Sequence, residues 1–126
     1  MGTFKRFEEI EAWKTAREIT KAVYQLTSRG DFSRDFGLKD QMRRAAVSIM
    51  SNIAEGYESR TEILFLELLG RAKGSSGELR AQFYVVQDAG YAPMKEVASL
   101  QDACSKCSGQ IGKLMDHLRR SNGRNS

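Results

Sequence analysis

Apolar residues in this chain recur at helical spacing in four separate stretches. From about Phe7 to Ser28, Ala12, Ala16, Ile19, Val23 and Leu26 form a stripe with alternating steps of four and three. Trp13 and Tyr24 flank it, while Lys14, Arg17 and Lys21 fall on another, solvated face. A polar connection, RGDFSRD, begins near Gly30. The second stripe, Leu38, Met42, Ala45, Ile49 and Ile53, predicts a helix over Phe36–Gly56. Ser59-Arg60-Thr61-Glu62 then reads as a capping box, with Ser59 accepting from a backbone N–H and Glu62 reaching back. In the third helix Phe65, Leu69, Ala72, Ser76, Leu79, Phe83 and Val86 keep a heptad rhythm. Gly90 is suited to end it and Pro93 to open the next. The fourth stripe is Val97, Leu100, Cys104, Cys107, Ile111, Leu114 and Leu118.

A heptad-like period means shallow crossing angles, and short connections put sequence neighbours side by side. The expected fold is all-α: an antiparallel up-down-up-down four-helix bundle over residues 7–118, followed by a basic, flexible tail over residues 119–126. Three features bear on packing. Ile63, Leu64, Leu66 and Leu68, added to Phe65 and Leu69, cover most of the third helix's circumference, more apolar surface than one core needs. The excess points to a second subunit. Asn52 continues the seam of the second helix, with Glu55 and Gly56 one turn on, and Ser76 interrupts the seam of the third. Polar seam residues of this kind fix register and partner, so Asn52 and Glu55 read as a hydrogen-bonded knot holding the second helix to a neighbour rather than a polar site, and all four as structural. Gly74-Ser75-Ser76-Gly77 lies mid-helix, where glycine costs about 1 kcal/mol relative to alanine. The heptad running through Ser76 favours a continuous helix whose small residues admit a close neighbour, against a break giving five shorter helices.

Composition narrows the chemistry. With 126 residues, 40% apolar and 29% charged, the chain is one globular domain. It has no apolar run long enough for a membrane span, and MGTFKRFEEIEAW turns acidic too early for a signal peptide, so a cytoplasmic location is expected. Cys104 and Cys107 should then be reduced. Their C-x-x-C spacing falls on a Leu/Ile seam and lacks the further ligands zinc needs, so they read as small core residues. One histidine, His117, near the end of the fourth helix, leaves no route to a di-iron site and argues against a catalytic triad. No phosphate-binding glycine motif is present. No enzyme activity, cofactor or metal is expected. The net charge of +4 is concentrated late: residues 113–126 hold Lys113, Arg119, Arg120 and Arg124 against Asp116 alone. Lys39, Arg43 and Arg44 form a second basic group. Lys39, Arg43, Arg44, Arg119, Arg120 and Arg124 are the candidates for phosphate contact.

The run FGLKDQMRRAAVSIMSNIAEG, followed by GSSGELRAQ at Gly74–Gln82 and AGY at Ala89–Tyr91, resembles the bacterial rRNA intervening-sequence proteins. EAWKTAREITKAVYQLT at Glu11–Thr27 looks similar too, and the match covers roughly residues 7–118. Met50 stands where many relatives have proline, and the linker before Phe36 lacks another common proline. The resemblance implies a short-loop four-helix bundle and a ring-like homo-oligomer, since characterised relatives are pentamers. Some relatives are encoded within large-subunit rRNA gene insertions, and distant ones bind nucleic acid. It supplies no catalytic residues.

The functional expectation is therefore a non-enzymatic, homopentameric scaffold associated with RNA or DNA. The alternative is a protein-interaction adaptor with no nucleic-acid role. The alternative's support is the near-neutral body of the chain and the lack of stacking aromatics beside the basic groups.

Overall fold

The four stripes fold as four α-helices: α1 (Glu11–Leu26), α2 (Phe36–Glu58), α3 (Glu62–Ala89) and α4 (Met94–Asn125). This computed structural model describes residues 4–125, with side chains described as far as Ser121. Among the described residues there is no strand. α2 and α3 pack on each other, α4 packs on α3, and α1 closes the bundle by packing against both α2 and α4.

The core is the set of stripes. Ala12, Ala16, Ile19, Val23 and Leu26 of α1 are all buried, as are Met42, Ala45, Ile49 and Ile53 of α2. All seven seam positions of α3 are buried, Ser76 included. On α4, Val97, Cys104, Cys107, Ile111 and Leu118 are buried, while Leu100 and Leu114 sit half-exposed at the margin. Burying one face of each helix is what holds the helices together, at about 25 cal/mol per Å² of apolar surface.

Helix ends depart from the sequence expectation at several points. The first helix does not begin at Phe7. Residues Phe7–Glu9 form a short 3-10 turn, and Ile10 is extended and buried, which seats Phe7 edge-on against Trp13 at 5.2 Å. It ends at Leu26 rather than Ser28: the Ser28 and Arg29 N–H groups bond the Gln25 and Leu26 carbonyls, three residues back, and the Thr27 and Ser28 hydroxyls donate to the Val23 and Tyr24 carbonyls. α2 runs two residues past Gly56. The capping box at Ser59 does not form. Ser59 is extended and its hydroxyl donates back to the Gly56 carbonyl, while Thr61 caps α3 by accepting from the Leu64 N–H at 3.1 Å. Gly90 ends α3 as expected, with φ of +73° and the Tyr91 N–H bonded to the Val86 carbonyl. Pro93 lies just before α4, its carbonyl accepting from the Val97 N–H. α4 continues to Asn125, so no helix end marks the expected boundary at residue 119.

α3 is continuous through Gly74–Gly77, but not because those glycines admit a neighbour within the protomer. A Cβ at Gly74 or Gly77 would meet nothing within 4 Å. The close approach is at Gly56 instead, where a Cβ would lie 2.8 Å from Phe65 Cδ1 and 3.2 Å from Leu68 Cβ. Gly56 thus sets how near α2 comes to the start of α3.

The connection over residues 29–35 is not simply polar. It holds a 3-10 turn, Gly30–Arg34, whose Phe32 is fully buried and stacked on Tyr91 at 4.7 Å. The Tyr91 hydroxyl donates to Asp35 Oδ2 at 2.8 Å, while Asp35 Oδ1 accepts from the Leu38 N–H and caps α2. That carboxylate raises the Tyr91 pKa above its ordinary value, since it accepts a bond only the protonated phenol can give. One terminal nitrogen of Arg29 adds contacts to both carboxylate oxygens of Glu96, at 2.8 and 2.9 Å.

Candidate nucleic-acid interface

The six basic candidates divide by what their side chains already hold. Arg43 is engaged: its Nε donates to Thr27 Oγ1 at 2.9 Å, and one terminal nitrogen donates to Ser28 Oγ and the Tyr24 carbonyl. Its guanidinium lies 4.3 Å over the Tyr24 ring. Arg43 therefore clamps the C-terminal end of α1 onto α2, where a cation is favoured by the helix dipole. Three of its five N–H donors are thus held within the bundle, while the other terminal nitrogen is left to the cleft that Arg43 helps to line. Lys39 is half-buried, with its ammonium 5.8 Å from the Phe36 ring. Arg44 is exposed on the rim of a cleft of about 580 Å³ between α1 and α2, shared with Tyr24, Asp40 and Ser48. Arg119 contacts Asp116 at 3.5 Å, and Arg120 is exposed. The side chain of Arg124 lies outside the described residues.

These groups do not converge. The start of α4 is tied to the end of α1 through Glu96 and Arg29, close to the start of α2. At 1.5 Å per residue, Arg120 is about 36 Å further along α4. Two basic regions at opposite ends of the bundle result. A stripe that runs through Arg120 connects with the second of them: Lys106 and Lys113, outside the six candidates, precede it at seven-residue steps on the exposed face of α4. None of the three, nor Arg44, forms an ion pair among the described residues.

The polar seam is a knot in part. The Asn52 amide is half-buried and donates to the Ser48 carbonyl at 2.8 Å and to Ser48 Oγ at 2.9 Å. Ser48 Oγ in turn meets Ser75 Oγ at 2.9 Å, joining α2 to α3. Asn52 lies beside the seam, whose next buried residue is Ile53. Glu55 is exposed and takes no part. Ser76 is buried and donates to the Cys104 carbonyl at 2.8 Å, joining α3 to α4. Gln82 carries no signal in the sequence pattern, although it is buried with its Oε1 unpartnered among the described residues.

The cysteines are free and buried in the bundle. Burial pushes both thiols up to about 12, away from reactive thiolate. Among the described residues, no group of three or more His, Cys, Asp or Glu side chains is placed to hold a metal ion.

Of the apolar interface candidates, Leu68 is in the protomer's own core at 5% exposure, because it faces α2 at the Gly56 contact. Leu66 is partly buried against that core. Ile63 and Leu64 do face outward, at 75% and 41% exposure. Tyr84 and Val85 near the end of α3, and Phe36 and Val47 on α2, are also exposed. No helix among the described residues is long and apolar enough to cross a membrane.

The chain matches the 23S rRNA-intervening sequence protein family over residues 8–113. Its fold is similar to a crystal structure of a protein of unknown function from the S23 ribosomal protein family of Bacteroides thetaiotaomicron VPI-5482. That likeness has a TM-score of 0.77 at 14% identity and covers 83% of this chain and 95% of the other. No curated protein matches the chain. Since the family match spans most of its length, the chain belongs to the 23S rRNA-intervening sequence protein family.

Proposed function

We propose that this member of the 23S rRNA-intervening sequence protein family is a non-enzymatic, oligomeric helical bundle of the cytoplasm that binds RNA or DNA through phosphate contacts. The observation that carries the reading is the exposed, unpaired Lys106, Lys113 and Arg120 stripe on α4, with Arg44 on α2. Cations left facing water, without carboxylate partners, are free to displace counterions from a phosphate backbone. The bundle is read as up-down-up-down. In support, partners on α4 fall in number as those on α3 rise: Lys73 with Ser108, Ser76 with Cys104, Arg80 with Gln101.

Self-association in a ring belongs to the same reading. Its support is the outward-facing Ile63, Leu64, Tyr84 and Val85 of α3 together with the resemblance to pentameric relatives. A ring repeats each basic stripe once per subunit, so individually weak contacts add.

A salt titration of binding to a structured RNA and a duplex DNA tests the function. The expected affinity falls linearly on a logarithmic salt scale, and Arg44→Ala or Lys113→Ala makes the slope shallower by about one for each phosphate no longer neutralised. Arg43→Ala should change the slope less than Arg44→Ala, because three of its five donors are held by α1. Undetectable binding to both nucleic acids at low salt would overturn the reading. The exposed Phe36, Ile63 and Met94 would then favour the adaptor alternative.

A further inference from the structure

Between α3 and α4 lies a cleft of about 320 Å³ lined by none of the basic residues proposed above for nucleic-acid contact. Lys73, Gly77 and Arg80 line one side and Ser105, Ser108 and Gly109 the other. We propose that this cleft is a phosphate-binding site, taking the phosphate group of a small ligand such as a nucleotide or of a nucleic-acid backbone. The inference uses the proposed nucleic-acid role only to name one carrier of the phosphate; the site itself is argued from its chemistry.

Every polar side chain lining the cleft can donate, and no carboxylate lines it. Two of them are cations that form no ion pair among the described residues. Lys73 is held in place: its ammonium donates to Ser108 Oγ at 2.8 Å, leaving two further N–H donors. Its stem lies over α4, with Cε 3.8 Å from where a Cβ at Gly112 would be. Arg80 stands two turns along α3 on the same side and presents a guanidinium fork suited to two phosphate oxygens. The Arg80 charge also reaches the cleft floor, where it opposes the upward shift of the Cys104 thiol that burial causes. The hydroxyls of Ser105 and Ser108 complete the ring of donors.

The glycines supply the room. A Cβ at Gly77 or at Gly109 would meet nothing within 4 Å, so neither is required by packing inside the protomer. Each also weakens its helix relative to alanine. Their joint effect is a concave opening between two cations, and a side chain at either would fill it. Mid-helix N–H groups are already bonded, so the cleft must bind with side chains, and Lys73, Arg80, Ser105 and Ser108 are there to do so.

The test is calorimetric titration of the full chain with inorganic phosphate at constant ionic strength, with circular dichroism and light scattering on each variant. The expected result is saturable binding, about one phosphate per protomer. Lys73→Ala with Arg80→Ala should weaken it by about tenfold or more, as expected when charge-assisted hydrogen bonds are removed. Gly109→Leu should keep or raise the melting temperature and still shut phosphate out, which separates a filled site from a damaged fold. Lys21→Ala, which removes an exposed cation on α1 away from the cleft, should bind phosphate as the parent does. Absence of saturable binding overturns the proposal, and so does saturable binding that survives both the Lys73/Arg80 and the Gly109→Leu changes. A nucleoside monophosphate and a short RNA duplex, each competed against phosphate, identify the carrier, and displacement by either supports the site. RNA binding that depends on Lys113 and Arg44, with no phosphate site, would sink this proposal and leave the nucleic-acid role standing. Phosphate binding without RNA binding would do the reverse.

Discussion

Arg43 and Arg44 are adjacent, identical in type and opposite in role. One residue of α-helix turns a side chain by about 100°, which takes Arg43 against the end of α1 and leaves Arg44 exposed, although both line the same cleft. Sequence alone reads both as basic surface, because the distinguishing partners, Thr27 and Ser28, come from the end of another helix. Arg43→Ala should lower stability by on the order of 1–3 kcal/mol, through removal of charge-assisted hydrogen bonds, with Arg44→Ala near neutral. Paired denaturant melts check this; equal effects would mean the clamp is not holding. The cysteines give a pH prediction. Their folded pKa of about 12 exceeds the ordinary thiol value of 9.0, so the native state keeps protons the unfolded chain has released. Stability should hold below about pH 9 and fall as pH rises from there toward 12. Replacing both by alanine should flatten that decline while lowering stability at neutral pH through cavities. A decline of unchanged steepness would place its cause elsewhere.

At the scale of elements, what was legible in the sequence is the burial stripe. The period is local, so Ala12 to Leu26 and Phe65 to Val86 are where the pattern places them. What was not legible depends on where the chain goes next. Thr61 rather than Ser59 caps α3, because α2 persists to Glu58 and Ser59 turns back to its last carbonyls. Phe32 is core inside a polar connection, because Tyr91, far away in sequence, supplies its partner. The glycines were the hardest to read: Gly56 permits a close contact and Gly77 does not serve one, yet both are small residues within helices. The structure gives them opposite signs. Gly56→Ala should destabilise by about 1–3 kcal/mol, since its methyl group collides with Phe65 and Leu68. Gly77→Ala should stabilise by up to about 1 kcal/mol, since the methyl group meets nothing and helix propensity improves. Thermal melts of the two variants decide it, and shifts of the same sign would contradict the packing described.

For the whole molecule, the fold followed from patterning, whereas assembly and the proposed phosphate-binding surfaces depend on exposure and partners that periodicity does not carry. Leu68 illustrates the limit: it is as apolar as Ile63 and one is core, the other surface. The protomer is 14.2 kDa. Light scattering coupled to gel filtration should return a multiple of that mass, and Ile63→Glu with Leu64→Glu should reduce it to the single-chain value with helicity retained. A parent protein that elutes as a clean monomer at micromolar concentration would remove the ring, and with it the multiplied basic stripes.

The junction of Phe32, Asp35 and Tyr91, with Arg29 on Glu96 beside it, ties the connection before α2 to the connection before α4. Two loops that share such contacts cannot open one at a time. Their amide protons should therefore exchange with solvent as one cooperative unit, with a common opening free energy. Tyr91→Phe removes the Asp35 bond and should hasten exchange over residues 29–35 and 90–96 together, leaving the middle of each helix as protected as before. The closed end of the bundle is then a single latch spanning two loops, set by one phenol and one carboxylate.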